Sequence, residues 1–136
     1  MTDRLGRRFA PSLSDIEHLA AEAFQGLPAA FRLRCGDVVI RVEDFPSEEV
    51  MEEMQAETPF DLLGLFQGVG QAQDSATQET GRMPNMVFLY RRAILDYWAE
   101  HHETLGAIVS HVLVHEIGHH FGLSDADMDA IEAKTP

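Results

Sequence analysis

His115-Glu116-Ile117-Gly118-His119-His120-Phe121-Gly122-Leu123-Ser124-Asp125 is the stretch that decides how this chain is read. It has the form H-E-x-x-H-x-x-G-x-x-D. Histidines four apart on a helix stand one turn apart on one face, so His115 and His119 can both reach a single metal ion. Glu116, next to the first histidine, is placed to hold a water at that metal, the arrangement of zinc-assisted hydrolysis. Gly122 falls where the helix should end, and glycine accepts the left-handed conformation that turns a chain sharply. That turn can return Asp125 toward the metal as a third ligand. Three protein ligands leave one coordination position open, as catalytic zinc requires.

Asp125 also has a second reading. Ser124-x-x-Asp127 resembles a capping box for a last helix over residues 125–133, with Met128 and Ile131 turned inward. A carboxylate in the first turn of that helix is favoured by the helix dipole alone. The remaining histidines carry less signal. His111 lies one turn before His115 but two turns from His119, about 12 Å along the axis, so it is expected beside the site or in the core. His120 points about 100° around the helix from His119 and is expected to pack. His101 and His102 fall at a helix junction and are expected at the surface.

Working outward, Leu105 to Val114 is an apolar run that reads as a buried helix, capped by Thr104 and ending near Phe121. A Glu and two His on a buried helix need a compensating partner, and a divalent cation is one. Val38–Glu43 is β-branched and reads as a strand, as does Asn85–Tyr90; Leu62–Phe66 is a shorter candidate. Ser14-Asp15-Ile16-Glu17 reads as a capping box for a first helix that stops at Gly26. A helical turn is expected over residues 28–33 and another over 93–99. Pro46-Ser47-Glu48-Glu49 opens an acidic helix that ends before Pro59. Gln67 to Pro84 lacks periodicity; its place before the next strand suggests a flap over a cleft.

The interleaving predicts an α+β fold: several helices around a small mixed sheet of about three strands, with the H-E-x-x-H helix packed across it. Residues 1–13 read as a flexible arm and residues 14–136 as a single domain. If Asn85–Tyr90 is the sheet edge beside the cleft, it can hold an extended peptide by strand addition. Tyr90 is then a candidate to stabilise the transition state, with Arg91 behind it, although packing and a surface ion pair are the better account of both.

Three segments resemble a family of very small bacterial zincin-like metallopeptidases, the minimal zincins. They are Leu113 to Leu123, Val87-Phe88-Leu89-Tyr90-Arg91-Arg92, and more loosely Leu62 to Gly68. The resemblance covers most of the chain from about Ser14, and the metal motif is its specific part. It implies a zincin-like domain with His115, His119 and Asp125 as ligands, Glu116 as catalytic base, Zn2+ as cofactor and a peptide or protein as substrate. The chain departs from larger metzincins, which carry a methionine-containing turn well beyond the third ligand. Met128 follows Asp125 too closely to be equated with that turn. The large C-terminal subdomain of full-size zincins has no counterpart either. A zinc-binding regulatory or interaction module without significant peptidase activity is therefore the alternative function.

Composition excludes other classes. The net charge is −13 and the pI about 4.7, which disfavours nucleic-acid backbones and anionic membranes as partners. Glu48, Glu49, Glu52, Glu53 and Glu57 form one acidic run, the pattern of a solvated helix face. The single cysteine, Cys35, cannot make an intramolecular disulfide and reads as a structural thiol. No apolar run follows Arg4, Arg7 and Arg8, so no signal peptide is expected, and a cytoplasmic location is the default expectation.

Overall fold

The β-branched run Val38–Glu43 forms strand β1, Gly64–Gln67 forms β2 and Asn85–Tyr90 forms β3. The computed structural model describes residues 5–68 and 85–133, and in it these strands make one mixed sheet of order β1-β3-β2. β1 runs parallel to β3, with Val38 opposite Asn85 and Glu43 opposite Tyr90. β2 runs antiparallel to β3, with Gly64 opposite Leu89 and Gln67 opposite Met86. The expectation that Asn85–Tyr90 forms the sheet edge is corrected: it is the central strand, paired on both sides, and β2 is the edge near the metal motif. Burial gives the reason. Val87 and Leu89 are closed off on one face and Tyr90 on the other, a pattern that suits a strand covered by neighbours.

Among the described residues six helices surround the sheet: α1 (Leu13–Gln25), α2 (Ala29–Cys35), α3 (Glu48–Glu53), α4 (Arg91–Glu100), α5 (Leu105–His120) and α6 (Asp125–Ala133). The capping box of α1 is made by Ser12, not Ser14. The Ser12 hydroxyl accepts from the Asp15 N–H at 3.0 Å and the Ser12 N–H donates to the Asp15 carboxylate at 2.9 Å. That pair starts the helix two residues early and puts Ser14 inside its first turn. α3 is capped by Ser47 and stops at Met54, earlier than the acidic run suggests. The irregular segment expected from Gln67 to Pro84, with its flap role, lies outside the described residues from position 69 onward. No helix among the described residues is long and apolar enough to cross a membrane.

The core lies between one sheet face and the pair α1 and α5. By strand alternation Val38, Ile40 and Val42 of β1 and Val87 and Leu89 of β3 share that face. They meet Ile16 and Ala20 of α1 and the apolar flank of α5. α5 buries Ile108, Val109, Val112, Leu113, Val114, Ile117 and Gly118. Each large aliphatic side chain fully buried there contributes roughly 1.5–3 kcal/mol, so α5 is held firmly and its last two turns are presented on a rigid base. Two glycines set the distance of that base. A Cβ on Gly64 would lie 2.8 Å from Val112 Cγ1 and 2.9 Å from the Phe88 carbonyl oxygen, so only glycine lets α5 come this close to β2. A Cβ on Gly118 would run into the Met128 sulfur. Met128 is fully buried beneath the helix, which brings α6 against α5.

Candidate metal centre

The last turns of α5 carry the motif. Thr104 caps the helix at its start, its hydroxyl accepting from the Ala107 N–H at 3.1 Å. At the other end the chain turns at Gly122, whose φ of 74° is the left-handed value expected of it. The Leu123 N–H donates back to the Gly118 carbonyl at 2.9 Å. Ser124 then opens α6 with a capping box: its hydroxyl accepts from the Asp127 N–H at 3.1 Å, and its own N–H donates to the Asp127 carboxylate at 3.3 Å. This turn and cap bring Asp125, the first residue of α6, back beside the two histidines.

His115, His119 and Asp125 each offer a ligand atom within 4.8 Å of the others. His119 and Asp125 are exposed and His115 is half-buried. The His115 and His119 rings stand 5.8 Å apart and nearly perpendicular, at 81°. His115 is also part of a second trio, with His111 and Glu132, that meets the same spacing. His111 Nδ1 lies 3.1 Å from Glu132 Oε1, and His115 Nε2 lies 3.6 Å from Glu132 Oε2, too far for a hydrogen bond. The His111 and His115 rings are 3.9 Å apart. Either trio has the donors and spacing to hold a divalent ion.

One atom tests the fit of a metal. His115 Nε2 is buried and, among the described residues, has no hydrogen-bond partner. A buried nitrogen left without a partner is costly, and a cation among these donors would satisfy it. Burial, and next the charge of His111, hold the His115 pKa below its ordinary value, while Glu132 and Asp125 oppose that shift. The neutral imidazole, with its lone pair free, is the form a metal needs.

Glu116 points the other way, toward β2. Its Cγ would lie 3.3 Å from a Cβ on Gly64, and its carboxylate accepts from the Phe66 backbone N–H. Burial raises its pKa, against the lowering effects of His119 and of that N–H. The carboxylate is thus fixed by an edge-strand amide and biased toward holding a proton, which suits a general base that must also act as an acid.

Other residues singled out from the sequence fall as follows. His120 is exposed yet stacks on Phe66, with centroids 4.0 Å apart. His101 and His102 are exposed. Tyr90 is buried at the end of β3, its ring parallel to that of Phe88 at 6.4 Å. This puts it on the sheet face away from Val87 and Leu89. Burial, then Glu43 and Glu116, push its phenol up to about 12. Cys35 is buried, its thiol donating to the Phe31 carbonyl at 3.1 Å; burial pushes its pKa up to about 11, so it is a structural thiol and no nucleophile. Sequence reading missed Glu132 as a neighbour of His115. The sequence places Glu132 one helical turn after the inward-facing Met128, but its nearness to His115 follows only from how α6 packs on α5.

A search of curated proteins finds no match. Residues 35–135 match the model of the zincin-like metallopeptidase family, a span that runs from β1 through the metal motif to α6. With the motif on a buried helix, the edge strand beside it and the two histidines brought together, the chain belongs to the zincin-like metallopeptidase family.

Proposed function

We propose that this protein is a zinc-dependent hydrolase of peptide bonds, with His115, His119 and Asp125 holding the ion and Glu116 as its base. The observation that carries this is the orphaned His115 Nε2, buried beside two further donors and one residue before a carboxylate anchored to β2. When bound, zinc supplies Lewis acidity, lowering the pKa of water and polarising a carbonyl. The remaining work falls to the chain. Glu116 takes the proton of the attacking water and passes it to the leaving amine. β2 is the edge strand next to α5 and offers backbone groups along which an extended peptide can lie. The alternative, a zinc-binding regulatory or interaction module, keeps the same ion and differs in having no use for the basicity of Glu116.

Cleavage of a diverse peptide pool by zinc-loaded protein tests the proposal, with Glu116→Gln as control. The substitution keeps the side chain's size but removes its basicity. Zinc content should stay near one per chain while cleavage falls about 10²-fold or more. A parent protein that binds zinc but cleaves nothing supports the module instead.

A further inference from the structure

The last two helices meet as a ladder of metal donors. α5 carries His111, His115 and His119 at four-residue intervals, each step a rise of about 6 Å. α6 carries Asp125 and Glu132, separated by about 10 Å of helix. Asp125 groups with His119, Met128 lies under Gly118, and Glu132 contacts His111. α6 therefore runs antiparallel to α5, and His115 stands between its two carboxylates. We propose that His111, His115 and Glu132 form a second zinc position, weaker than the first and never filled together with it, in which the ion is held away from Glu116. That the first position is His115, His119 and Asp125 rests on the function proposed above.

The donors fit the ion. Two imidazoles and one carboxylate, each with a ligand atom within 4.8 Å of the others, are a donor set from which zinc is bound with one position open. The orphaned atom points here as well. His115 Nε2, buried and without a partner among the described residues, is the nitrogen that faces Glu132, with Oε2 at 3.6 Å. That gap is too long for a hydrogen bond, but an ion between the two atoms would satisfy both. His111 closes the group from the solvent side. Its side chain is 54% exposed, and its ring lies 3.9 Å from that of His115.

The order of the two positions follows from what each must give up. An ion in the outer trio replaces the 3.1 Å contact between His111 Nδ1 and Glu132 Oε1, whereas no hydrogen bond joins the inner donors among the described residues. The outer position is therefore the weaker. The single free lone pair of His115 makes the two exclusive. Glu116 belongs to the inner position. Burial raises its pKa, and the histidine charge that opposes this is that of His119. An ion moved one turn toward His111 leaves that carboxylate behind, so the chain can keep zinc without a base beside it.

The test measures zinc affinity by competition with a chromophoric chelator, and metal content after dialysis, so it does not depend on turnover. His119→Ala with Asp125→Ala removes two inner donors, both exposed. This protein should still bind about one zinc, more weakly than the parent. Adding His111→Ala or Glu132→Gln should weaken that binding by a further 10²-fold or so, roughly one ligand's share of a zinc site's binding free energy. His102→Ala and Glu17→Gln, which remove the same residue types from exposed positions elsewhere, should leave it unchanged. His119→Gln with Asp125→Asn repeats the series with side-chain volume kept, in case the alanine pair lowers the thermal midpoint of the metal-free protein. Loss of all zinc from both inner-site pairs, or retention of zinc after His111→Ala and Glu132→Gln, overturns the second position and leaves the first standing. Equal affinity in the parent and the inner-site pairs, lost with His111→Ala, keeps this position but contradicts the ligand set proposed for the hydrolase. A parent that binds no zinc overturns both.

Discussion

The two trios that share His115 are built differently, and the difference supports the inner one as the place proposed for an ion. In the outer trio Glu132 has one hydrogen-bond partner: one oxygen lies 3.1 Å from His111, while the other stands 3.6 Å from His115, beyond hydrogen-bond reach. In the inner trio no hydrogen bond joins His115, His119 and Asp125 among the described residues. Three donors gathered within 4.8 Å without bonding one another suit a cation better than a trio in which two members already bond each other, which supports the inner trio as the site proposed. Sharing His115 also makes the trios competitors. A neutral imidazole has one free lone pair, so an ion taken by His111 and Glu132 through that nitrogen would leave His119 and Asp125 short of a ligand.

Substitutions separate the two arrangements, and the largest effect is expected at the shared residue. His115→Ala removes a donor from both trios and should abolish stoichiometric zinc, read as metal content after dialysis. Asp125→Ala removes a donor from the inner trio alone. It should weaken zinc by about 10-fold or more in a competitive chelator titration. Glu132→Ala should change affinity less than Asp125→Ala does, in either direction; the reverse order would move the ion to the outer trio.

A backbone test follows. Gly64→Ala should destabilise the fold by about 1–3 kcal/mol by overpacking α5 against β2, seen as a lower denaturant midpoint. Because Glu116 lies over the same point, cleavage should fall further than zinc binding. The smallest effect concerns pH. With its pKa lowered in the fold, His115 resists a proton that the unfolded chain accepts near its ordinary value of 6.5. Metal-free protein should therefore lose stability as pH falls below about 6.5, through the interval down to the folded pKa, with no contribution from this group above it. His115→Gln should flatten that slope.

What the sequence makes legible follows a simple rule of distance along the chain. The Thr104 cap, the turn at Gly122 and the Ser124–Asp127 box are local patterns with fixed spacing, and each forms where expected. The α+β class also follows, from short β-branched runs between helical periodicities. The central place of β3 was not legible, because alternation along one strand does not tell which strands flank it. Glu132 beside His115 depends on the packing of α6 on α5 through Met128 and Gly118, a contact between residues that no short motif joins.

The location of the ion itself is the most direct test. Anomalous diffraction from crystals of the zinc-loaded protein would place it without reference to activity. The account predicts one zinc at roughly 2.0–2.2 Å from a nitrogen of His115, a nitrogen of His119 and an oxygen of Asp125, with Glu116 close by but not coordinated. A zinc held by His111 and Glu132, or coordinated directly by Glu116, would contradict it.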